Sequence, residues 1–291
     1  MVIVILGPTA VGKTKLSVEL AKKIDGEIIN ADSTQVYKDL NIATAKVTLE
    51  EKENIPHHLF DIKDINEDYT VYEYQKDCRK KIDEILSRGK TPILVGGTGL
   101  YIKAALYNYK FDDEIKCNDY TNINDDELYN KLLKIDPNTL IHKNNRKRVE
   151  HALDYYYSTG KIIGHEKSDK LLYDTKFIGL TTSRDILYKR INDRVDIMVD
   201  NGLLIEAKNI YNSNIRTKAV LTPIGYKELF PYFSNNESLD ECLEKIKQNS
   251  RRYAKRQYTW FNNQMDVKWF EVDFNDFDNT INEVYNYVKG D

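Results

Sequence analysis

The sequence predicts an α/β fold in which a parallel sheet is flanked by helices and interrupted by a helical insert. Three observations predict it. Val2-Ile-Val-Ile-Leu6 is a continuous apolar run of the kind carried by a parallel strand buried on both faces. Similar short apolar runs, Thr91-Pro-Ile-Leu-Val95 and Phe177-Ile-Gly-Leu180, alternate with helical patterns, as right-handed strand–helix–strand crossovers require. Residues 112–174 break that rhythm, being acidic at first, then helical, without a buried strand.

The elements follow in order. Strand 2–6 feeds a glycine turn and a helical pattern over 13–23. A second strand, 27–30, ends at the polar loop Asp32-Ser-Thr-Gln35. A helix over 72–86 stops at Arg88-Gly89, and strand 91–95 runs into Gly96-Gly-Thr-Gly99 and a further helix. The insert carries helices over 126–134 and 146–157. Beyond it come strand 177–180, helices over 185–199 and 239–261, strand 267–272 and a closing helix. The chain thus divides into a core, 1–111 plus 175–291, and an insert, 112–174.

At 291 residues, with 41% hydrophobic and 31% charged residues, the composition is that of a globular protein. No stretch has the apolar length of a membrane span, and no leader-like segment precedes Val2, so the expectation is a cytoplasmic protein without a membrane partner. Cys78, Cys117 and Cys242 lie far apart, which argues against a disulfide framework or a thiolate metal site. The net charge of −3 is unevenly spread. Asp112 to Glu127 is acidic, whereas 143–148 and 251–256 are basic, and local stripes decide where a polyanion docks.

Gly7-Pro8-Thr9-Ala10-Val11-Gly12-Lys13-Thr14 matches G-x-x-x-x-G-K-[ST] between a strand and a helix. Its glycines let backbone N–H groups close around phosphate oxygens, Lys13 adds a point charge, and Thr14 offers a hydroxyl to Mg²⁺. The core is therefore expected to be P-loop NTPase-like. The loop signals phosphate rather than ATP hydrolysis, because the later strand runs into Gly-Gly-Thr-Gly where a hydrolase would place a metal-binding carboxylate. Asp32 is the carboxylate best placed to face the loop, as a base acting on a second substrate. Asp32-Ser33-Thr34 is equally a common turn sequence, while the Gln35 amide can pair with adenine. In Arg251-Arg-Tyr-Ala-Lys-Arg256, helical spacing aligns Arg252, Lys255 and Arg256, with Tyr258 and Trp260 following. That run suits an RNA backbone and unstacked bases, or else is a solvated face over core aromatics.

In their order these stretches resemble the tRNA dimethylallyltransferase (isopentenyl transferase) family. The resemblance rests on 7–14, on Ala-Asp-Ser-Thr-Gln-Val-Tyr at 31–37, Pro-His-His-Leu at 56–59 and Gly-Gly-Thr-Gly-Leu-Tyr at 96–101. It continues through Arg194-Val-Asp-Ile-Met, Gly202-Leu, Ile224-Gly-Tyr-Lys-Glu228 and Tyr-Ala-Lys-Arg-Gln-Tyr-Thr-Trp at 253–260. It implies transfer of a dimethylallyl group from its diphosphate to N6 of adenosine 37 in tRNA, with Mg²⁺ and release of pyrophosphate. It also implies Asp32 as the base, Ser33, Thr34, Gln35, Thr98, Arg148, Arg252 and Arg256 as tRNA contacts, and Arg190 and Arg194 as further phosphate ligands. A monomer docking an anticodon stem-loop, partly through its insert, is implied too. The family's insert helix usually has an arginine directly before Ala-Leu-Glu, whereas here the run is Arg148-Val-Glu-His151-Ala-Leu-Asp154, and 111–145 holds no arginine. Without a Cys/His finger, the bacterial form is implied. Rival readings are an adenylate isopentenyltransferase acting on free nucleotide, a P-loop small-metabolite kinase, and a non-catalytic RNA-binding protein.

Overall fold

The computed structural model describes residues 1–109, 111, 117–162 and 170–290. The chain opens with β1 (Val2–Leu6), α1 (Lys13–Ile24), β2 (Gly26–Asn30), α2 (Leu49–Lys52), β3 (His57–His58), α3 (Val71–Ser87), β4 (Thr91–Gly96) and α4 (Gly99–Leu106). Helices α5 (Asp125–Ile135) and α6 (Arg146–Thr159) follow, then β5 (Thr175–Thr181), α7 (Arg184–Asp200), α8 (Leu203–Asn212), α9 (Lys218–Leu221) and α10 (Phe230–Phe233). The chain closes with α11 (Leu239–Gln264), β6 (Lys268–Glu271) and α12 (Phe277–Lys289).

Six strands form one sheet in the order β3-β2-β4-β1-β5-β6, every pairing parallel. The sequence reading anticipates five of them. It misses β3, whose two residues pair with Ile28 and Ile29, because so short an edge strand carries no periodicity. It also leaves α2 and α8 to α10 unread. All five residues of β1 are buried, with Val2, Val4 and Leu6 in one apolar cluster and Ile3 and Ile5 in the other, as pleat alternation in a two-sided strand dictates.

Helix starts show why the chain reads as it does. Thr70 and Glu73 form a capping box on α3, and Ser238 and Glu241 form one on α11, satisfying amides that would otherwise be orphaned. Helix α1 has neither a side-chain cap nor an acidic residue in its first turn. Its cap is Gly12 at φ +94, where a Cβ would stand 2.7 Å from the Phe277 ring. Its leading amides have no side-chain partner among the described residues.

Packing divides the chain into two compact units, Met1–Tyr107 with Leu171–Asp291, and Asn108–Lys170. The sequence places these divisions at 112 and 174, the first of which lies outside the described residues, as does the acidic start of the insert at 112–116. The smaller unit has its own core of Tyr120, Leu128, Leu132, Val149, Ala152 and Leu153. Arg146 ties it together, donating to Asp125 (2.6 Å), Glu150 (2.7 Å) and the carbonyls of Tyr120 and Ile123. No helix among the described residues is long and apolar enough to cross a membrane.

Candidate active site

Strands β1 and β4 lie side by side, and their outgoing connections leave toward opposite sides of the sheet. The crevice in which ligands of open α/β sheets bind lies beyond the strands' carboxyl ends at such a switch point. Three loops meet there: 7–14 after β1, 31–35 after β2 and 97–98 after β4. They approach closely. A Cβ on Gly96 would lie 2.2 Å from the Ala31 carbonyl, so a residue without a side chain is required at the end of β4. Ala31 N–H donates to the Val95 carbonyl (2.8 Å), and Thr98 N–H donates to the Ala31 carbonyl (3.1 Å), stitching the second and third loops together.

The 7–14 loop is ringed by cations. The Lys13 ammonium turns inward and donates to the carbonyls of Gly7 (3.0 Å) and Pro8 (2.7 Å). Arg190 and Arg194, one turn apart on α7, reach the same loop: Arg190 Nε donates to the Ala10 carbonyl at 2.9 Å, and Arg194 Nη1 to Thr9 Oγ1 at 3.2 Å. Arg190 Cζ also sits over the Phe274 ring, 3.8 Å from its centroid. Burial pushes Lys13 down to about 8, helped by the neighbouring Arg194 and opposed by Asp32. Burial also lowers Arg194, with Glu51 and Asp32 opposing it. None of the three cations forms a salt bridge among the described residues. Three partly buried cations on one loop, beside a helix start without a side-chain cap, suit a polyanion. Val11 is fully buried beneath it.

The second loop carries Asp32. Asn30, at the end of β2, fixes it from both sides: its Oδ1 accepts from Asp32 N–H (2.8 Å) and its Nδ2 donates to the Asp32 carbonyl (3.0 Å). Asp32 Oδ1 accepts from the N–H and the hydroxyl of Thr34, and Oδ2 has no hydrogen bond among the described residues. Ser33 N–H donates to Thr98 Oγ1 at 3.0 Å, and Thr98 donates in turn to Ser33 Oγ at 3.2 Å. The Gln35 amide nitrogen donates to the carbonyls of Thr44 (2.9 Å) and Ala45 (3.2 Å). Bidentate pairing with adenine therefore does not fit this geometry, since both amide hydrogens are engaged and only Oε1 is left.

On α11 the exposed face carries Arg252, Lys255 and Arg256, and the opposite face buries Ala254, Gln257 and Phe261. The aromatics that follow are packing residues: Tyr258 bonds Thr181 (3.0 Å) and leans on Trp269, and Trp260 lies edge-on to Phe261. Arg251 is committed as well, to Asn192 (2.7 Å) and Glu244 (2.9 Å). Sequence reasoning misses Tyr253 and Gln257. The Tyr253 hydroxyl is held well above its ordinary range by burial and by the nearby Asp32 carboxylate, and Gln257 donates to the Gly97 carbonyl at 3.1 Å. Their one-turn spacing was the available signal, masked by the cations between them. Arg148 is exposed on α6 of the smaller unit.

Comparison with known proteins agrees with this architecture. The family model described as IPP transferase matches residues 35–264. A tRNA dimethylallyltransferase of Anoxybacillus flavithermus is 49% identical over 99% of this chain and 96% of its own. The crystal structure of a tRNA isopentenylpyrophosphate transferase from Bacillus halodurans superposes with a TM-score of 0.78 at 44% identity, covering 99% of this chain and 95% of that one. A eukaryotic dimethylallyltransferase, captured in snapshots acting on tRNA, gives a TM-score of 0.88 at 36% identity over 100% of this chain and 78% of that one. With a P-loop NTPase-like core, a cation-ringed phosphate loop and a relative this similar along its whole length, this chain belongs to the IPP transferase family.

Proposed function

We propose that this protein transfers the dimethylallyl group of dimethylallyl diphosphate to N6 of adenosine 37 in tRNA and releases pyrophosphate. One observation carries the reading: the Asp32 carboxylate, with Oδ2 uncommitted, stands within electrostatic reach of both Lys13 and Arg194 at the mouth of the phosphate loop. A phosphate site facing a free carboxylate suits a reaction in which one partner sheds a phosphate-bearing leaving group and the other loses a proton, a kinase included. Similarity to tRNA dimethylallyltransferases is what favours an allylic diphosphate as the first partner.

The chemistry follows from the positions. The diphosphate seats on the α1 amides, with Lys13, Arg190 and Arg194 around it. As the allylic C–O bond breaks, negative charge grows on the leaving group, and these fixed donors stabilise it most when it is fullest. The exocyclic amine is a weak nucleophile because its lone pair is delocalised into the ring. Asp32 Oδ2 orients it and accepts its proton as the C–N bond forms. Reaching the amine requires a base turned out of its stack, which Ser33, Thr34, Gln35 and Thr98 line the crevice to receive. The Thr14 hydroxyl, at the start of α1, has no hydrogen bond among the described residues and is a hard oxygen donor, so the site fits Mg²⁺ held mainly by substrate phosphates and water. Bound there through Thr14, the ion would neutralise diphosphate charge. Arg252 and Arg256, and Arg148 of the insert, would contact the tRNA backbone of the anticodon stem-loop. The reading describes a cytoplasmic monomer.

The test is direct. The protein is incubated with labelled dimethylallyl diphosphate and a synthetic anticodon stem-loop, and the RNA is digested to nucleosides. Label on the adenosine 3′ of the anticodon is expected. Label only on free adenylate, or phosphate transfer from ATP without prenyl transfer, would overturn the proposal.

A further inference from the structure

We infer that Glu206 is a positioning residue for base selection, because it clamps the turn on which the Gln35 amide is seated. The inference rests on the proposed reading that Gln35 meets the acceptor base.

Glu206 lies on α8, far from Gln35 in sequence. Its carboxylate accepts from three successive backbone amides: Asn41 N–H at 3.0 Å, Ile42 N–H at 2.9 Å and Ala43 N–H at 3.2 Å. Tyr226, fully buried, donates its hydroxyl to the same carboxylate at 2.7 Å. Successive amides converging on one anion make a strong, directional clamp. The amides belong to a closed turn, in which Ala45 N–H donates to the Ile42 carbonyl and Lys46 N–H to the Asn41 carbonyl, both at 2.9 Å. The far side of that turn presents the Thr44 and Ala45 carbonyls, and these receive the two hydrogens of the Gln35 amide. Glu206 grips one side of a rigid turn, and Gln35 hangs from the other.

This orientation has a chemical meaning. With both amide hydrogens spent on the turn, Gln35 offers the crevice an acceptor, Oε1. An acceptor suits the exocyclic amine of adenine and opposes the O6 carbonyl of hypoxanthine or guanine. Without the clamp the turn is free to shift, the amide to rotate, and the preference to fade.

The same geometry assigns work to two sequence blocks that the phosphate chemistry leaves unexplained. The run beginning Gly202-Leu supplies Glu206. The block Ile224-Gly-Tyr-Lys-Glu228 supplies Tyr226, and a Cβ on Gly225 would come within 2.8 Å of the Ala43 Cβ. Buried Glu228 accepts from Gly225 N–H (2.9 Å) and from Asn249 of α11 (3.1 Å), anchoring the block to the helix that carries the basic face.

The test compares equilibrium binding of two anticodon stem-loops, identical except for adenosine or inosine 3′ of the anticodon, by fluorescence anisotropy. The parent is expected to prefer adenosine by on the order of 10-fold or more, the scale of one well-made hydrogen bond set against an opposed acceptor. Glu206→Gln places an amide donor against backbone donors, and Gln35→Ala removes the acceptor. Each should cut the preference by about 10-fold, and the double variant no further, because one change acts through the other. Tyr226→Phe, which removes only one hydroxyl, should lower the preference partway and serves where Glu206→Gln does not fold. Affinity for inorganic pyrophosphate should stay parental throughout. A parent that binds both RNAs equally overturns the reading of Gln35 and this inference with it. Additive losses in the double variant, or an unchanged preference in Glu206→Gln or Tyr226→Phe, overturn the inference alone.

Discussion

One oxygen of Asp32 holds Thr34 twice: Oδ1 accepts from the Thr34 N–H at 2.9 Å and from its hydroxyl at 2.7 Å. The turn-forming role and the proposed base role of this residue therefore sit on different oxygens. Asparagine keeps Oδ1 and replaces the other oxygen with a group that cannot take a proton. Asp32→Asn should fold with near-parental stability while single-turnover transfer falls about 10²–10⁴-fold, the usual worth of a positioned base. Affinity for dimethylallyl diphosphate should barely move. A folded variant with parental single-turnover rates would leave Asp32 as a turn residue.

Lys13→Ala should act on the chemical step more than on RNA affinity. The ammonium is drawn onto loop carbonyls and meets a charge that grows only as the leaving group departs. The expected signature is a drop in kcat with little change in stem-loop affinity. Unchanged kcat in a folded variant would remove Lys13 from the mechanism.

The same residue predicts a proton uptake. Free Lys13 is pushed down to about 8, so it is largely neutral above that pH. A bound polyanion favours the charged form and raises the value. Between the free and bound values, binding takes up a proton, and affinity falls as pH rises through that window. Calorimetry of pyrophosphate binding at pH 9, in buffers of different ionisation enthalpy, should show an uptake that Lys13→Ala lacks. Identical proton counts in parent and variant would contradict the shift.

Arg252 and Arg256 are exposed on α11 with no ion pair among the described residues. If they meet RNA phosphates, replacing both with Ala should weaken stem-loop binding and flatten its salt dependence by roughly 0.7 log units for each phosphate no longer neutralised. Equal slopes would make the helix a solvated face.

Much of this was legible in the sequence because each signal is local. The phosphate loop is written in consecutive residues, and β1, β4 and β5 are contiguous apolar runs. The directions of Lys13, Arg190 and Arg194 follow from loop and helix geometry. What stayed hidden depends on side-chain pairings that sequence spacing does not mark. Gln35 reads as a free amide until Thr44 and Ala45 are seen to occupy it, and Tyr258 and Trp260 read as base platforms until Trp269 and Phe261 close on them. Glu206 looks like any helical glutamate, since the backbone amides it holds lie more than 160 residues away.

The 7–14 loop is synthesised before the residues that wall it. Arg190 and Arg194 approach it from 180 and 185 positions downstream, and Phe277 packs against Gly12 only when α12 forms. A chain still on the ribosome thus carries a complete binding signature in its letters and an unfinished one in space. Birth order and assembly order are therefore opposed at this site. A stalled chain ending before Phe277 should fail to protect its loop from protease in the presence of pyrophosphate, whereas the full chain should be protected; protection of the stalled chain would show that the loop matures early.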